Sequence, residues 1–330
     1  MRIDRFRPKS TRSAECLPLL AWPGVNASRL PNLFVLGAPK CGTTAFCNYL
    51  RQHPDIYVPP KELHYFGSDL TFRNKPRPTE DIFAERYSGA HDEAYRADCA
   101  IWYLFSRSAA GEIATASPEA KCIALLRKPS QMLYSLHSEF LYQGDEDITD
   151  FATALAAEED RRRGLRIPAT CDIPWALQYR QVARYAEQLS RYYEQFPKSQ
   201  VHVVLYDDLV ADTPGVYAAA LRFLGLDESF RAELDVVNPN KIVRSPGVRQ
   251  FLRSPPAPLR SIGRTLVRNQ RTRSVIGNRL LEMNTVAAPR PPLDPTIGRM
   301  LDVAYADDVE RLSRLLDRDL TAWLPSDPPD

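Results

Sequence analysis

An α/β fold with a central parallel sheet flanked by helices is predicted by three observations. Three apolar runs, "NLFVLG" (Asn32–Gly37), "KCIALLR" (Lys121–Arg127) and "VHVVLYDDL" (Val201–Leu209), read as buried strands. Stretches of helical periodicity separate them. Strands alternating with helices are the pattern of a parallel sheet covered on both faces. A chain of 330 residues can bury a core that needs no disulfide or metal staple.

The elements follow in order. After the first strand, "TTAFCNYLRQHP" places Phe46, Tyr49 and Leu50 at helical spacing, and Pro54 closes the helix. The second strand leads into the helical "PSQMLYSLHSEFLYQ". Leu177, Val182, Tyr185, Leu189, Tyr192 and Phe196 then predict one long amphipathic helix before the third strand. "TPGVYAAALRFLGL" predicts a helix ending at Gly225. In "LDPTIGRMLDVAYADDVERLSRLL", Asp294 is a helix cap with Pro295 at the first position, and Leu301, Tyr305, Val309, Leu312, Leu316 and Leu320 supply an apolar face. Between these two helices, residues 241–290 carry Lys241 and ten arginines against one acid, Glu282. Because a packed tail follows, the expected division is an N-terminal arm over residues 1–30 and one domain over 31–330. That domain holds a basic Pro/Arg-rich insertion at about 241–292.

Composition excludes several classes. A net charge of +2 gives no global attraction to nucleic acid. No apolar run approaches the roughly 18 residues of a membrane span. The six cysteines form no C-x-x-C pair, so a zinc site is not expected, and their scatter fits a reducing cytoplasm. The first 25 residues are basic but broken by prolines, the pattern of a mobile arm rather than a signal peptide.

Chemistry concentrates at "GAPKCGTTAF" (Gly37–Phe46). A glycine-bearing turn from strand to helix offers free backbone N–H groups and the positive end of a helix dipole, which bind an anion. Thr43 and Thr44 add hydroxyl donors. The nucleotide-triphosphate loop, however, carries its lysine directly after the second glycine. Here Thr43 fills that slot, and Lys40 comes two residues before Gly42. Such a lysine sits inside the loop, where it can meet a group attached directly to the bound phosphate.

The stretch "APKCGTTAFCNYLRQHPDIYVPPKELHYF" resembles the 5′-phosphosulfate loop of sulfotransferases that use 3′-phosphoadenosine 5′-phosphosulfate (PAPS) as co-substrate. It is most similar to the bacterial and glycosaminoglycan-type branch, whose fold is related in topology to the P-loop nucleotide kinases. The resemblance implies that Lys40, Cys41, Gly42, Thr43, Thr44 and Ala45 hold the 5′-phosphosulfate. It places the 3′-phosphate on Arg127 and Ser135, eight residues apart in "RKPSQMLYS", where an arginine fork suits phosphate oxygens. Glu62 of "KELHYF" becomes the base that takes the acceptor's proton, with Lys61 helping to hold charge and His64 assisting the base or lining the pocket. One of Lys241, Arg244 and Ser245 in "NPNKIVRSPG" would close on the 3′-phosphate. No metal is expected, because lysine can replace the magnesium clamp of phosphoryl transfer.

The chain departs from the branch at "ADCAIWYLFS" (Ala97–Ser106). Cys99 falls where the branch has a lysine, and Ala100 and Ile101 replace a hydroxyl residue and a proline; Tyr103 keeps the tyrosine. This puts a heparan-type acceptor in doubt. The acceptor classes left open are a small molecule, a carbohydrate and a lipid-linked group, with peripheral contact to an anionic surface through the arginine-rich stretch. Two rival readings are a P-loop kinase or ATPase, with Asp207 at the end of "VHVVLYD" holding magnesium, and a catalytically idle nucleotide-binding scaffold.

Overall fold

A computed structural model describes residues 30–60, 62–234, 241–243, 285–287 and 290–325. Residues 1–29 of the expected N-terminal arm lie outside them. The strands form one five-stranded sheet in the order β2–β3–β1–β4–β5. Their bounds are β1 Leu33–Gly37, β2 Ile56–Tyr57, β3 Tyr95–Cys99, β4 Lys121–Leu126 and β5 Val201–Leu205. All neighbours are parallel; β1 sits in the middle, with Leu33 opposite Ala97 on one side and Lys121 on the other. Every residue of β1 is buried. Helices cover both faces, which is why β1 and β4 read as continuous apolar runs rather than alternating ones. From β1 the chain moves outward to β2, returns through β3, and crosses to β4 on the other side of β1. The carboxyl ends of β1 and β4 therefore flank the switch point of the sheet, where open α/β sheets leave a crevice.

Helix α1 (Thr43–Leu50) follows β1 directly. After β2 comes α2 (Glu80–Glu85), and α3 (Ala109–Ala116) joins β3 to β4. Helix α4 (Pro129–Gln143) begins with proline at its first position and ends at Gly144 in the left-handed region, the expected start and stop. Short helices α5 (Phe151–Ala156) and α6 (Glu158–Arg162) follow.

The single long helix expected before β5 is instead three pieces: a 3-10 turn at Pro174–Leu177, α7 (Tyr179–Val182) and α8 (Tyr185–Tyr193). Side chains stabilise the break. Gln188 Nε2 donates to the carbonyls of Gln181 and Val182 at 3.2 and 2.9 Å, and the buried Asp308 carboxylate accepts from Ala186 N. These bonds satisfy backbone groups that a continuous helix would have satisfied itself.

The third strand is also shorter than expected. It stops at Leu205, and Tyr206–Ala211 turns into helix α9, followed by α10 (Thr213–Leu224). Helix α11 (Pro295–Leu316) is capped by Asp294, which accepts from Thr296 N and Ile297 N, and buries Leu301, Tyr305, Val309 and Leu312. It packs on α8 and α4. Asp302 ties it to the start of α4, taking Lys128 Nζ at 2.8 Å and Ser130 Oγ at 2.6 Å. The described ends of the arginine-rich stretch, β6 (Lys241–Val243) and β7 (Thr285–Ala287), pair antiparallel, with Lys241 opposite Ala287. Among the described residues no helix is long and apolar enough to cross a membrane.

Candidate active site

The turn after β1 is built for close approach. Gly37 has φ +123°, and a Cβ there would lie 2.3 Å from the Ile101 carbonyl oxygen. Gly42, the residue before α1, has φ +88°, a conformation that glycine adopts at low cost. No side chain caps α1 and no acid lies in its first turn, so its leading N–H groups keep their capacity for an anion. Thr43 is buried and Thr44 exposed at this end. Cys41 contributes only backbone. Its thiol turns inward to the Pro39 carbonyl at 3.4 Å and the Tyr185 hydroxyl at 3.9 Å, and burial pushes its pKa up to about 12. Lys40, at φ +61°, places Nζ 2.8 Å from Glu139 Oε2 on α4.

The second cluster stands at the end of β4. Arg127 lies over the Tyr206 ring at 4.4 Å, a cation–π placement that holds the guanidinium. Ser135 is 2% exposed, and its Oγ accepts from Arg290 Nη2 at 3.0 Å. Arg290 also sits over the Tyr134 ring at 5.4 Å. Its pKa is lowered, first by burial and next by the charge of Arg127. Its Nε is buried without a hydrogen-bond partner among the described residues. The guanidiniums of Arg127 and Arg290 repel each other, and an anion between them would relieve this. Sequence reasoning counted Arg290 only as a member of the arginine-rich stretch. Its signal was position: it lies four residues before the Asp294 cap, so the packed α11 fixes where it emerges.

Glu62 and the loop meet in a cavity of about 140 Å³ lined by Thr43, Thr44, Glu62, Cys99 and Ile101, among others. Glu62 is 36% exposed in its side chain and His64 is 17% exposed, with His64 Nε2 at 3.3 Å from Glu62 Oε2. The His64 ring stacks on Phe72 at 5.1 Å, which fixes its orientation. Behind it Asp98 is buried, accepts from the Tyr103 hydroxyl at 2.7 Å, and has its pKa raised by burial to about 6. Cys99, in the lysine position of the branch, is hydrogen-bonded to Cys47; that bond and burial push its pKa up. Arg244, Ser245 and Lys61 lie outside the described residues, as do the side chains of residues 241–243.

The carboxylates of the kinase reading are engaged structurally. Asp207 accepts from Trp323 Nε1 at 2.8 Å, and Asp208 pairs with Arg318 at 2.7 Å.

Residues 107–240 match the model of the sulfotransferase domain, a span that includes Arg127 and Ser135. The chain is 27% identical over 203 residues to the mouse (Mus musculus) protein heparan sulfate glucosamine 3-O-sulfotransferase 3B1, covering 62% of this chain and 48% of that one. It is 28% identical over 210 residues to human (Homo sapiens) heparan sulfate glucosamine 3-O-sulfotransferase 6, covering 64% and 56%. The matched stretch thus spans about half the length of these relatives. A sulfotransferase crystal structure from Alicyclobacillus acidocaldarius superposes with a TM-score of 0.65 at 25% identity, covering 89% of this chain and 98% of the other. The matched span and the superposed fold make this chain similar to the sulfotransferase domain and to bacterial and glycosaminoglycan-type sulfotransferases.

Proposed function

We propose that this chain transfers a sulfuryl group from PAPS to an acceptor hydroxyl, with an amine as the lesser alternative. The observation that carries the reading is that two groups of donors suited to anions follow the neighbouring parallel strands β1 and β4. One is the uncapped start of α1 after β1. The other is Arg127, Ser135 and Arg290 after β4. The residues present fit the co-substrate: a donor with phosphates at both the 5′ and 3′ positions asks for two such groups. When bound, it supplies the activated sulfuryl group.

The protein's part is positioning and proton handling. The N–H groups of Gly42 to Ala45 and the threonine hydroxyls would hold the 5′ group, with Lys40 supplying charge from within the loop. Arg127, Ser135 and Arg290 would hold the 3′-phosphate. Glu62, partly exposed beside the loop threonines, would accept the acceptor's proton, and His64 Nε2 would hold the carboxylate in place. The kinase alternative is not favoured, since Asp207 is occupied by Trp323.

The relatives are named for a carbohydrate acceptor, which supports a sugar hydroxyl as the class to test first. Cys99 in place of the branch's lysine argues for an acceptor other than heparan sulfate itself. The free thiols of Cys41, Cys47, Cys99, Cys122 and Cys171 suit the reducing cytoplasm as the working compartment.

The test is calorimetric titration with 3′,5′-bisphosphoadenosine, ADP and ATP, followed by turnover of labelled PAPS against a panel of sugar and lipid-linked alcohols. The bisphosphate is expected to bind more tightly than ADP by about 3 kcal/mol, the upper range for a charged hydrogen-bonded partner. Equal affinity for ADP would overturn the 3′-site assignment.

A further inference from the structure

We infer that Glu139 is a positioning residue that competes with the donor for Lys40 and so sets how tightly the nucleotide is held. This rests on the donor reading above.

Helix α4 presents Ser135 and Glu139 one turn apart, on the same face. Ser135 belongs to the 3′ cluster through Arg290. Glu139 reaches the other cluster. Its Oε2 lies 2.8 Å from Lys40 Nζ, and its Oε1 accepts from Gln143 Nε2 at 2.6 Å, one further turn along. Both carboxylate oxygens are thereby engaged, and the side chain is directed at the loop by its own helix. The charge of Glu139 also reaches Arg290, where it opposes the lowering of the arginine's pKa. A carboxylate thus stands between two groups that the donor reading assigns to phosphates.

Such a placement works against anion binding. Lys40 and Glu139 are 31% and 29% exposed in their side chains, so their attraction is only partly screened. An incoming 5′ anion must share or displace this partner before Lys40 can serve it. Glu139 also repels that anion directly. Both effects lower nucleotide affinity. The first acts only through Lys40, which separates it from general electrostatics. A built-in rival of this kind would favour release of the bisphosphate product, which presents the same 5′ and 3′ phosphates as the donor.

The experiment is a double-mutant cycle on 3′,5′-bisphosphoadenosine binding, measured by calorimetry in the parent, Glu139→Gln, Lys40→Ala and the double variant. Glutamine keeps the length and hydrogen-bonding reach of the side chain but removes the charge. The expected result is tightening by roughly 3- to 10-fold in Glu139→Gln, the range between a partly exposed ion pair and a charged hydrogen bond. In the Lys40→Ala background the tightening should shrink by about threefold or more, because only direct repulsion remains to be relieved. Glu139→Ala, followed by thermal melting to check its fold, should move affinity in the same direction. Unchanged or weaker binding in both Glu139 variants overturns the inference while leaving the donor reading intact. So does equal or larger tightening in the Lys40→Ala background. If the parent itself prefers ADP or binds no bisphosphate, the donor reading fails, and this inference fails with it.

Discussion

Lys40 and Glu62 face different charges, so their loss should be separable in kinetics. On the proposed transfer, Lys40→Ala removes a cation from the position where negative charge would grow as the sulfuryl group departs. Its cost should therefore fall more on rate than on nucleotide affinity. Glu62→Gln would remove only the proposed proton acceptor. Nucleotide affinity should stay unchanged while turnover drops by about 100- to 10,000-fold. Near-native turnover in Glu62→Gln would transfer the role of base to His64, 3.3 Å away. A second residue-scale prediction concerns Asp98. Burial raises its carboxyl pKa to about 6, above its unfolded value, so the folded state favours the protonated form. The sign follows. Its contribution to stability is fully present below about pH 4 and is lost as pH rises through about 6. Asp98→Asn cannot ionise and can still accept from Tyr103. Relative to the parent, this variant should gain stability between pH 4 and pH 7.5, by on the order of 2 kcal/mol, in urea unfolding. A parent-to-variant difference that is flat with pH would refute the argument.

The elements divide by where their hydrogen bonds come from. Helices α4, α10 and α11 carry their own punctuation: proline at the start, glycine or a capping aspartate at an end. Their boundaries were legible in the sequence for that reason. The stretch before β5 was not. Its apolar spacing is helical throughout, but Gln188 and Asp308 bond to backbone groups at the break, and Asp308 comes from α11, 122 residues from Ala186. Strand β3 was missed because Arg96 and Asp98 interrupt its apolar pattern; the buried Asp98 is tolerated through its bond to Tyr103. Asp294 is the sharpest element-scale test. Its side chain satisfies Thr296 N at 2.8 Å and Ile297 N at 3.2 Å. Asp294→Ala should cost about 1 kcal/mol in urea unfolding. A loss of under about 0.3 kcal/mol would mean that packing of α11 on α8 and α4, rather than the cap, sets its start.

At the scale of the whole molecule, packing of the C-terminal helix sets where Arg290 lies. The chain leaves the arginine-rich stretch at Arg290, and α11 then packs across α8 and α4. That packing delivers Arg290 to Ser135, 155 residues earlier. Arg290→Ala should weaken 3′,5′-bisphosphoadenosine by roughly 10- to 100-fold, as expected for a charged hydrogen-bond partner, and leave ADP unaffected. Equal losses for both nucleotides would place Arg290 in the fold rather than at the 3′-phosphate. The arginines of the stretch other than Arg290 lie outside the described residues, so its expected anionic surface has no geometry to support it. Arg290 itself points inward to the site.

By itself the sequence determined what depends on near neighbours. The buried runs of β1 and β4, the glycine turn into α1, and the arginine and serine spaced along the start of α4 need only local backbone geometry. They were enough to raise the resemblance and to nominate the loop, the 3′ pair and the base as candidates. Tertiary structure alone decided which groups meet. Lys40 finds Glu139 across 99 residues, Arg290 finds Ser135 across 155, and His64 settles between Glu62 and Phe72. The physical reason is that periodicity and capping report the hydrogen bonds an element makes within itself. Side-chain pairing between elements depends on the order of strands in the sheet and the packing of helices over it, and no local pattern encodes that order.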